Sequence, residues 1–248
     1  MSSTAAQDGA FRVKRIQTNV IAQSERKLLT WLSARLPAWV TPDRLTILGV
    51  AGAALVLVAQ IASRHDHAFL WLASFGLVVH WFGDSLDGSL ARYRRIERPV
   101  YGYFLDHTVD ALCNFMIMVG FGLTLYIRMD VALFALVGYF FLCMYVFINN
   151  HLSGTMQLSF LGFGPTELRL CLIAINTSMF FFGRAGFSVA GQFISYYDCV
   201  LLFAGTVFVA IYIVRMLIGI RTLRDPARSG AKPLAVQSAP TNASSLPK

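Results

Sequence analysis

The chain has 248 residues, 56% hydrophobic and 14% charged, with a mean hydropathy of +0.59 and a formal net charge of +8. Soluble domains carry charge on about a quarter of their residues, so this composition excludes an ordinary water-soluble globule and points to one membrane bundle. The positive balance fits cytoplasmic loops facing anionic headgroups, and no nucleic-acid partner is expected.

Residues 1–15 contain no apolar core and read as a flexible N-terminus without a cleaved signal peptide. Residues 16–40 mix charge with Ile, Val, Leu and Trp, the pattern of a juxtamembrane amphipathic helix ended by Pro37. A hydrocarbon core of about 30 Å needs roughly 20 apolar residues in a helix. Six segments approach that length, at about 45–63, 68–86, 104–127, 131–150, 167–183 and 199–218. The expected fold is therefore an all-α integral membrane protein, six transmembrane helices plus the interfacial helix, with its domain over 41–221. Residues 222–248, rich in Pro, Ser and Ala, read as a disordered tail. Cys113, Cys143, Cys171 and Cys199 stand singly in apolar segments, which indicates neither a zinc site nor a disulfide framework.

With both termini in the cytoplasm, all 21 Lys and Arg except Arg64, Arg128 and Arg184 fall on the cytoplasmic side. Positive charge retained inside sets topology, so the expectation is a multi-pass protein of an inner or plasma membrane. The same orientation puts the stretch DSLDGSLARYRRIERPVYGYFLDHTVD (84–110) at the cytoplasmic face, where the second span leaves and the third enters.

Asp84, Asp87, Gly88, Ala91 and Arg92 fall at helical offsets 0, 3, 4, 7 and 8, along one face. Asp106 and Asp110 lie one turn apart on the next helix. Pro99 and Gly102 between them suit a turn joining antiparallel helices. Packed together, the two faces bring four carboxylates into one small volume, where they repel unless cations neutralise them. Oxygen-only ligands select hard divalent ions, Mg²⁺ first and Mn²⁺ as a relative, and two such ions clamp the attacking and leaving oxygens of a phosphoryl transfer. The competing reading is a solvated helix-end cluster with arginine partners. Gly88 weighs against it, since a helical glycine costs about 1 kcal/mol relative to alanine and leaves room on the carboxylate face. Ala91 keeps that face open, and Arg92 offers a planar fork for phosphate.

The pattern D-x2-D-G-x2-A-R-x9-G-x3-D-x3-D, from Asp84 to Asp110, closely resembles the signature of the CDP-alcohol phosphotransferases, six-helix membrane enzymes of phospholipid synthesis. The resemblance covers about Pro42 to Arg221, and its Arg92-to-Gly102 spacing is slightly longer than the family's. It implies that Asp84, Asp87, Asp106 and Asp110 hold two Mg²⁺ or Mn²⁺ ions, and that Gly88, Ala91, Arg92 and Gly102 line the CDP site. It further implies that Asp110 takes the proton of an acceptor alcohol, which attacks the phosphorus of a CDP-linked donor and expels CMP. The acceptor is a lipid or a polar alcohol. A metal-bound carboxylate is a weak base, so activation of the alcohol by the metal shares that work.

LDHTVD and GPTE (Gly164–Glu167) resemble the choline and ethanolamine phosphotransferase branch, and by that analogy His107 or Glu167 joins in deprotonating the acceptor. Histidine titrates near neutrality and is the better base, yet His107 points about 100° away from Asp106 around the helix. Glu167 equally suits the N-terminal cap of the fifth span. Arg169 binds phosphate or sits at the membrane edge, and Asn150 meets an acceptor headgroup or satisfies helix-end carbonyls. TPDRLTILG resembles the family's first-span start, which makes Asp43 and Thr46 pocket-wall residues by analogy; by helix logic Asp43 is a first-turn acid and Pro42 starts the helix. His80, four residues before Asp84, reads as a buried hydrogen bonder, because nitrogen suits a Mg²⁺ site poorly. Small residues such as Gly49 and Ala53 permit close helix packing, and the family analogy implies a homodimer. The rival class is a divalent-cation transporter, which predicts acids near the bilayer midplane on several spans.

Overall fold

A computed structural model of the chain describes residues 14–16, 22–153, 155–157, 164–189 and 191–224. The first 13 residues, and the expected tail beyond residue 224, lie outside the described residues. A short strand β1 (Lys14–Ile16) precedes the juxtamembrane helix α1 (Ala22–Arg35). The bundle follows as α2 (Pro42–Ala62), α3 (Phe69–Arg94), α4 (Pro99–Gly122) and α5 (Met129–Ser153). Strand β2 (Thr155–Gln157) pairs in parallel with β1. Helix α6 (Pro165–Phe182), the antiparallel pair β3 (Gly186–Val189) and β4 (Gln192–Ser195), and helix α7 (Tyr196–Arg224) complete the fold.

Local chemistry sets the helix ends around the site. Thr41 caps α2, its hydroxyl accepting from Arg44 N at 3.3 Å, and Pro42 stands where a missing N–H costs nothing. Helix α3 closes with Arg95 in the left-handed region at φ 58°, while Ile96 N donates back to Ala91 O at 3.0 Å. That is a Schellman closure carried by a non-glycine residue. The chain re-enters a helix at Pro99, so only residues 95–98 separate α3 from α4. Gly102, expected in this turn, instead lies in the first turns of α4.

Glycines draw α2 and α3 together. A Cβ on Gly52 would lie 2.5 Å from His80 N, and one on Gly83 would run into the backbone of Gly49 and Leu45. Gly49 and Ala53, the small residues read from the sequence, are buried in the bundle. Along this seam Ala53, Val56, Leu70 and Leu77 join Cys113, Ile117 and Phe121 of α4 in the core. Close backbone approach of this kind replaces the hydrophobic driving force that lipid does not supply. Helices α5 and α7 meet likewise at Gly138 and Gly205.

Among the described residues five helices are long and apolar enough to cross a membrane: α2, α3, α4, α5 as far as Asn150, and α7 as far as Thr222. Helix α6, where a further span was expected, has 18 residues and carries Glu167, Arg169 and Asn176. Its polar groups point into the bundle. Asn176 Oδ1 accepts from Gln60 Nε2 at 2.8 Å, and Asn176 Nδ2 donates to Ser74 Oγ at 3.3 Å. Such interhelical bonds add about 0.6 kcal/mol each and fix rotation about the helix axis. The outer faces carry Phe75, Phe141, Phe203 and Ile218, as a lipid-facing surface requires.

Candidate active site

The expected convergence is present. Asp84 and Asp87 stand near the end of α3 and Asp106 and Asp110 in the first half of α4. Asp84 and Asp110 meet at hydrogen-bonding range, and Asp106 lies within Coulombic reach of Asp87 and Asp110. The Thr46 hydroxyl crosses from α2 to donate to Asp87 Oδ2 at 2.7 Å, and Gly88 N donates to Asp87 Oδ1. Thr46 therefore belongs to the carboxylate cluster itself.

Arg169 enters from α6 and donates from Nη2 to Asp84 Oδ2 at 2.5 Å and to His80 Nε2 at 3.3 Å. His80, 2% exposed, sets Nδ1 against Gly49 O at 3.0 Å. This is the buried hydrogen bonding expected of His80, here tied to the site through Arg169.

Asp106, His107 and Asp110 offer donor atoms that all lie within 4.8 Å of one another, and Asp84 and Asp87 add four more carboxylate oxygens beside them. A close, oxygen-rich, half-buried donor set fits hard divalent cations.

Beside this cluster His107 sits in an aromatic cage. Tyr103 meets it edge-on at 4.3 Å and Phe147 of α5 stacks at 4.7 Å with a 23° tilt. Its Nδ1 faces Asp106 Oδ2 at 3.3 Å, while its buried Nε2 has no partner among the described residues. Asn150, also on α5, donates from Nδ2 to Tyr103 Oη at 3.4 Å, and its buried Oδ1 likewise has no partner among the described residues. Two orphaned polar atoms on one wall mark a place for a polar ligand group, since buried donors and acceptors rarely go unmatched.

The remaining expected residues lie further out. Arg92 is exposed and donates to Ser89 Oγ at 3.2 Å; a Cβ on Gly88 would meet its guanidinium at 3.3 Å. Ala91 is half-buried beside them, and nothing lies within 4 Å of the place a Gly102 Cβ would take. Asp43 forms an ion pair with Arg98 at 2.5 Å, both about half exposed, on the rim. Glu167 accepts from Gly164 N at 2.9 Å, the capping geometry expected for a first-turn acid. Two contributors went unread in the sequence. Arg94 turns inward to donate to Leu36 O, Pro37 O and Val40 O at 2.9, 2.8 and 2.5 Å. Glu25 of α1 takes Trp81 Nε1 at 2.9 Å and the Thr166 hydroxyl at 2.6 Å, joining α1 to α3 and α6.

A helical membrane bundle with four aspartates facing one another across two helices defines a polytopic protein built around an acidic site. The family model "CDP-alcohol phosphatidyltransferase" matches residues 39–204, and the chain belongs to that family. Similar proteins include human cholinephosphotransferase 1, 29% identical over 59% of this chain and 37% of its own length. The CDP-diacylglycerol–serine O-phosphatidyltransferase of Encephalitozoon cuniculi is 35% identical over 38% of this chain and 27% of its own. The phosphatidylinositol phosphate synthase of Cutibacterium acnes is 38% identical over 36% of this chain and 41% of its own. The chain thus spans little more than a third of the human relative's length.

Proposed function

We propose that the protein transfers a phosphoalcohol group from a CDP-linked donor to an acceptor alcohol, releasing CMP, in phospholipid synthesis. The observation that carries this reading is the meeting of Asp84, Asp87, Asp106 and Asp110 at adjoining ends of α3 and α4. Those carboxylates would hold two Mg²⁺ or Mn²⁺ ions, which when bound supply charge neutralisation and Lewis acidity at the pyrophosphate. Acids gathered at one place on two helices, beside an arginine, suit such a centre better than a cation pathway through several spans.

The protein's own residues then do the rest. Asp110 takes the acceptor's proton as its oxygen forms the new bond to phosphorus; the bond from phosphorus to the bridging oxygen breaks, and CMP leaves with that oxygen. A second assignment of the base has its own support: His107 Nε2 is buried without a partner among the described residues, and its Nδ1 faces Asp106 Oδ2 at 3.3 Å. Gly88, Ala91, Arg92 and Gly102 line the nucleotide side, with Asp43 at its rim. Asn150 faces the acceptor and Arg169 a phosphate of the donor, and Glu167 orders the start of α6. The relatives' names divide between cholinephosphotransferase and phosphatidyl-transferring enzymes. The LDH and GPTE stretches favour a CDP-headgroup donor with a diacylglycerol-type acceptor over CDP-diacylglycerol with a small polar alcohol. The site and both termini face the cytoplasm, and the family likeness brings with it a homodimer.

The test is incubation of purified protein with a panel of CDP-alcohols and acceptors, reading lipid product by mass and CMP by chromatography. CMP release that stops with EDTA and returns with Mg²⁺ or Mn²⁺ is expected. Metal flux into proteoliposomes, with no CMP from any donor, would overturn the reading.

A further inference from the structure

The aspartate cluster already contains a cation of the protein's own. Arg169 and Asp84 form an ion pair whose side chains are only 12% and 18% exposed. The same Nη2 of Arg169 reaches His80 Nε2. One tautomer of His80 satisfies both its neighbours: Nδ1–H donates to Gly49 O, which leaves the Nε2 lone pair to accept from Arg169. His80 is itself fixed, since its backbone abuts Gly52 in the α2–α3 seam. Arg169 is thus aimed at Asp84 from a rigid support.

A divalent ion held by Asp84 would draw on lone pairs of that same carboxylate and would place a double positive charge beside the guanidinium. Both cations prefer those oxygens, and like charges in a poorly hydrated site oppose each other strongly. We propose that Arg169 is a built-in competitor for the divalent-cation site, with His80 as its positioning residue. A cation loading onto Asp84 displaces the guanidinium, which becomes available to an anionic substrate only then. The device would order events, cation before anion, and would keep Asp84 paired until a metal arrives. It rests on the reading that the aspartates hold divalent cations, and deepens it.

The experiment measures Mn²⁺ binding to detergent-purified protein, without any CDP donor, from the electron paramagnetic resonance signal of free Mn²⁺. Arg169→Gln should tighten binding at least about tenfold, and Arg169→Lys, which keeps the charge, should stay within about threefold of wild type. A misfolded protein cannot imitate a gain in affinity. A second measurement needs no variant: phenylglyoxal labelling of Arg169 in the wild-type protein, followed by peptide mass, should run severalfold faster in Mg²⁺ than in EDTA. Arg98, held by Asp43 on the rim, should label equally in both. An Arg169→Gln affinity equal to or weaker than wild type overturns the inference, as does labelling of Arg169 that Mg²⁺ leaves unchanged. Wild-type protein that binds no Mn²⁺ removes the metal reading as well. Tight wild-type binding with an unchanged Arg169→Gln value removes the competition alone.

Discussion

The Thr46 hydroxyl and the Asp87 carboxylate are joined at 2.7 Å across the α2–α3 seam, by residues 41 positions apart. The same hydroxyl lies 3.2 Å from Pro42 O, so its oxygen is held in the first turns of α2. Asp87 therefore has one oxygen oriented from a second helix and the other by Gly88 N. Thr46→Val removes the first of these at nearly constant volume, and Thr46→Ser keeps it. A hydrogen bond to a charged group contributes about 1.5–3 kcal/mol, so CMP release by Thr46→Val should fall by roughly tenfold or more while Thr46→Ser stays near wild type. Equal initial rates for all three proteins would mean that Asp87 does not depend on this contact.

Asp110→Asn should abolish CMP release, by at least about a hundredfold, the usual contribution of a general base. The isosteric amide should leave the detergent-solubilised protein monodisperse. His107→Ala serves as the counter-test. A loss of similar size there, with Asp110→Asn retaining measurable turnover, would transfer the proton to the caged imidazole.

Two glycines should answer oppositely to alanine. At Gly52 a Cβ has no room against His80 N, and overpacking of a tight seam costs about 1–3 kcal/mol. Gly52→Ala should therefore lower the melting temperature in detergent. At Gly102 the space is open, and alanine in a helix is favoured by about 1 kcal/mol. Gly102→Ala should preserve or raise the melting temperature. If a nucleotide approaches there, it should also raise KM for the CDP donor. An unchanged KM would remove Gly102 from the donor site.

Arg94→Ala should free the segment between α1 and α2, because it removes the guanidinium donor shared by the carbonyls of Leu36, Pro37 and Val40. The expected signature is faster proteolysis at residues 36–40 and a lower melting temperature. Arg94→Lys should rescue little, since one ammonium does not reproduce the fork. Proteolysis identical to wild type would show that the segment is held by other contacts.

Much of this site was legible from periodicity alone. Asp84 and Asp87, then Asp106 and Asp110, repeat at helical spacing, and helical spacing survives folding unchanged. Contacts between distant segments leave no such trace. Arg94 looked like one more surface charge, because its acceptors are backbone carbonyls more than 50 residues earlier. His80 was read as a buried hydrogen bonder, but the partner that ties it to the site, Arg169, lies 89 residues away on α6. The residues of β3 and β4 sit between two apolar helices, and Gly191 at φ 81° is the local signal of their turn. Helix α6 was expected as an ordinary span because Leu, Ile and Phe fill it; its polar residues are accommodated by facing Asp84, His80, Gln60 and Ser74.

The link of residues 95–98 has a consequence for how the chain tolerates change. Joining α3 to α4 through so few residues ties the register of the two acidic pairs to this corner, and a slip by one helical turn would shift them about 5.4 Å relative to each other. Length added beyond the spacing this chain already carries would loosen that alignment without altering any acidic residue. At this corner spacing is itself part of the chemistry.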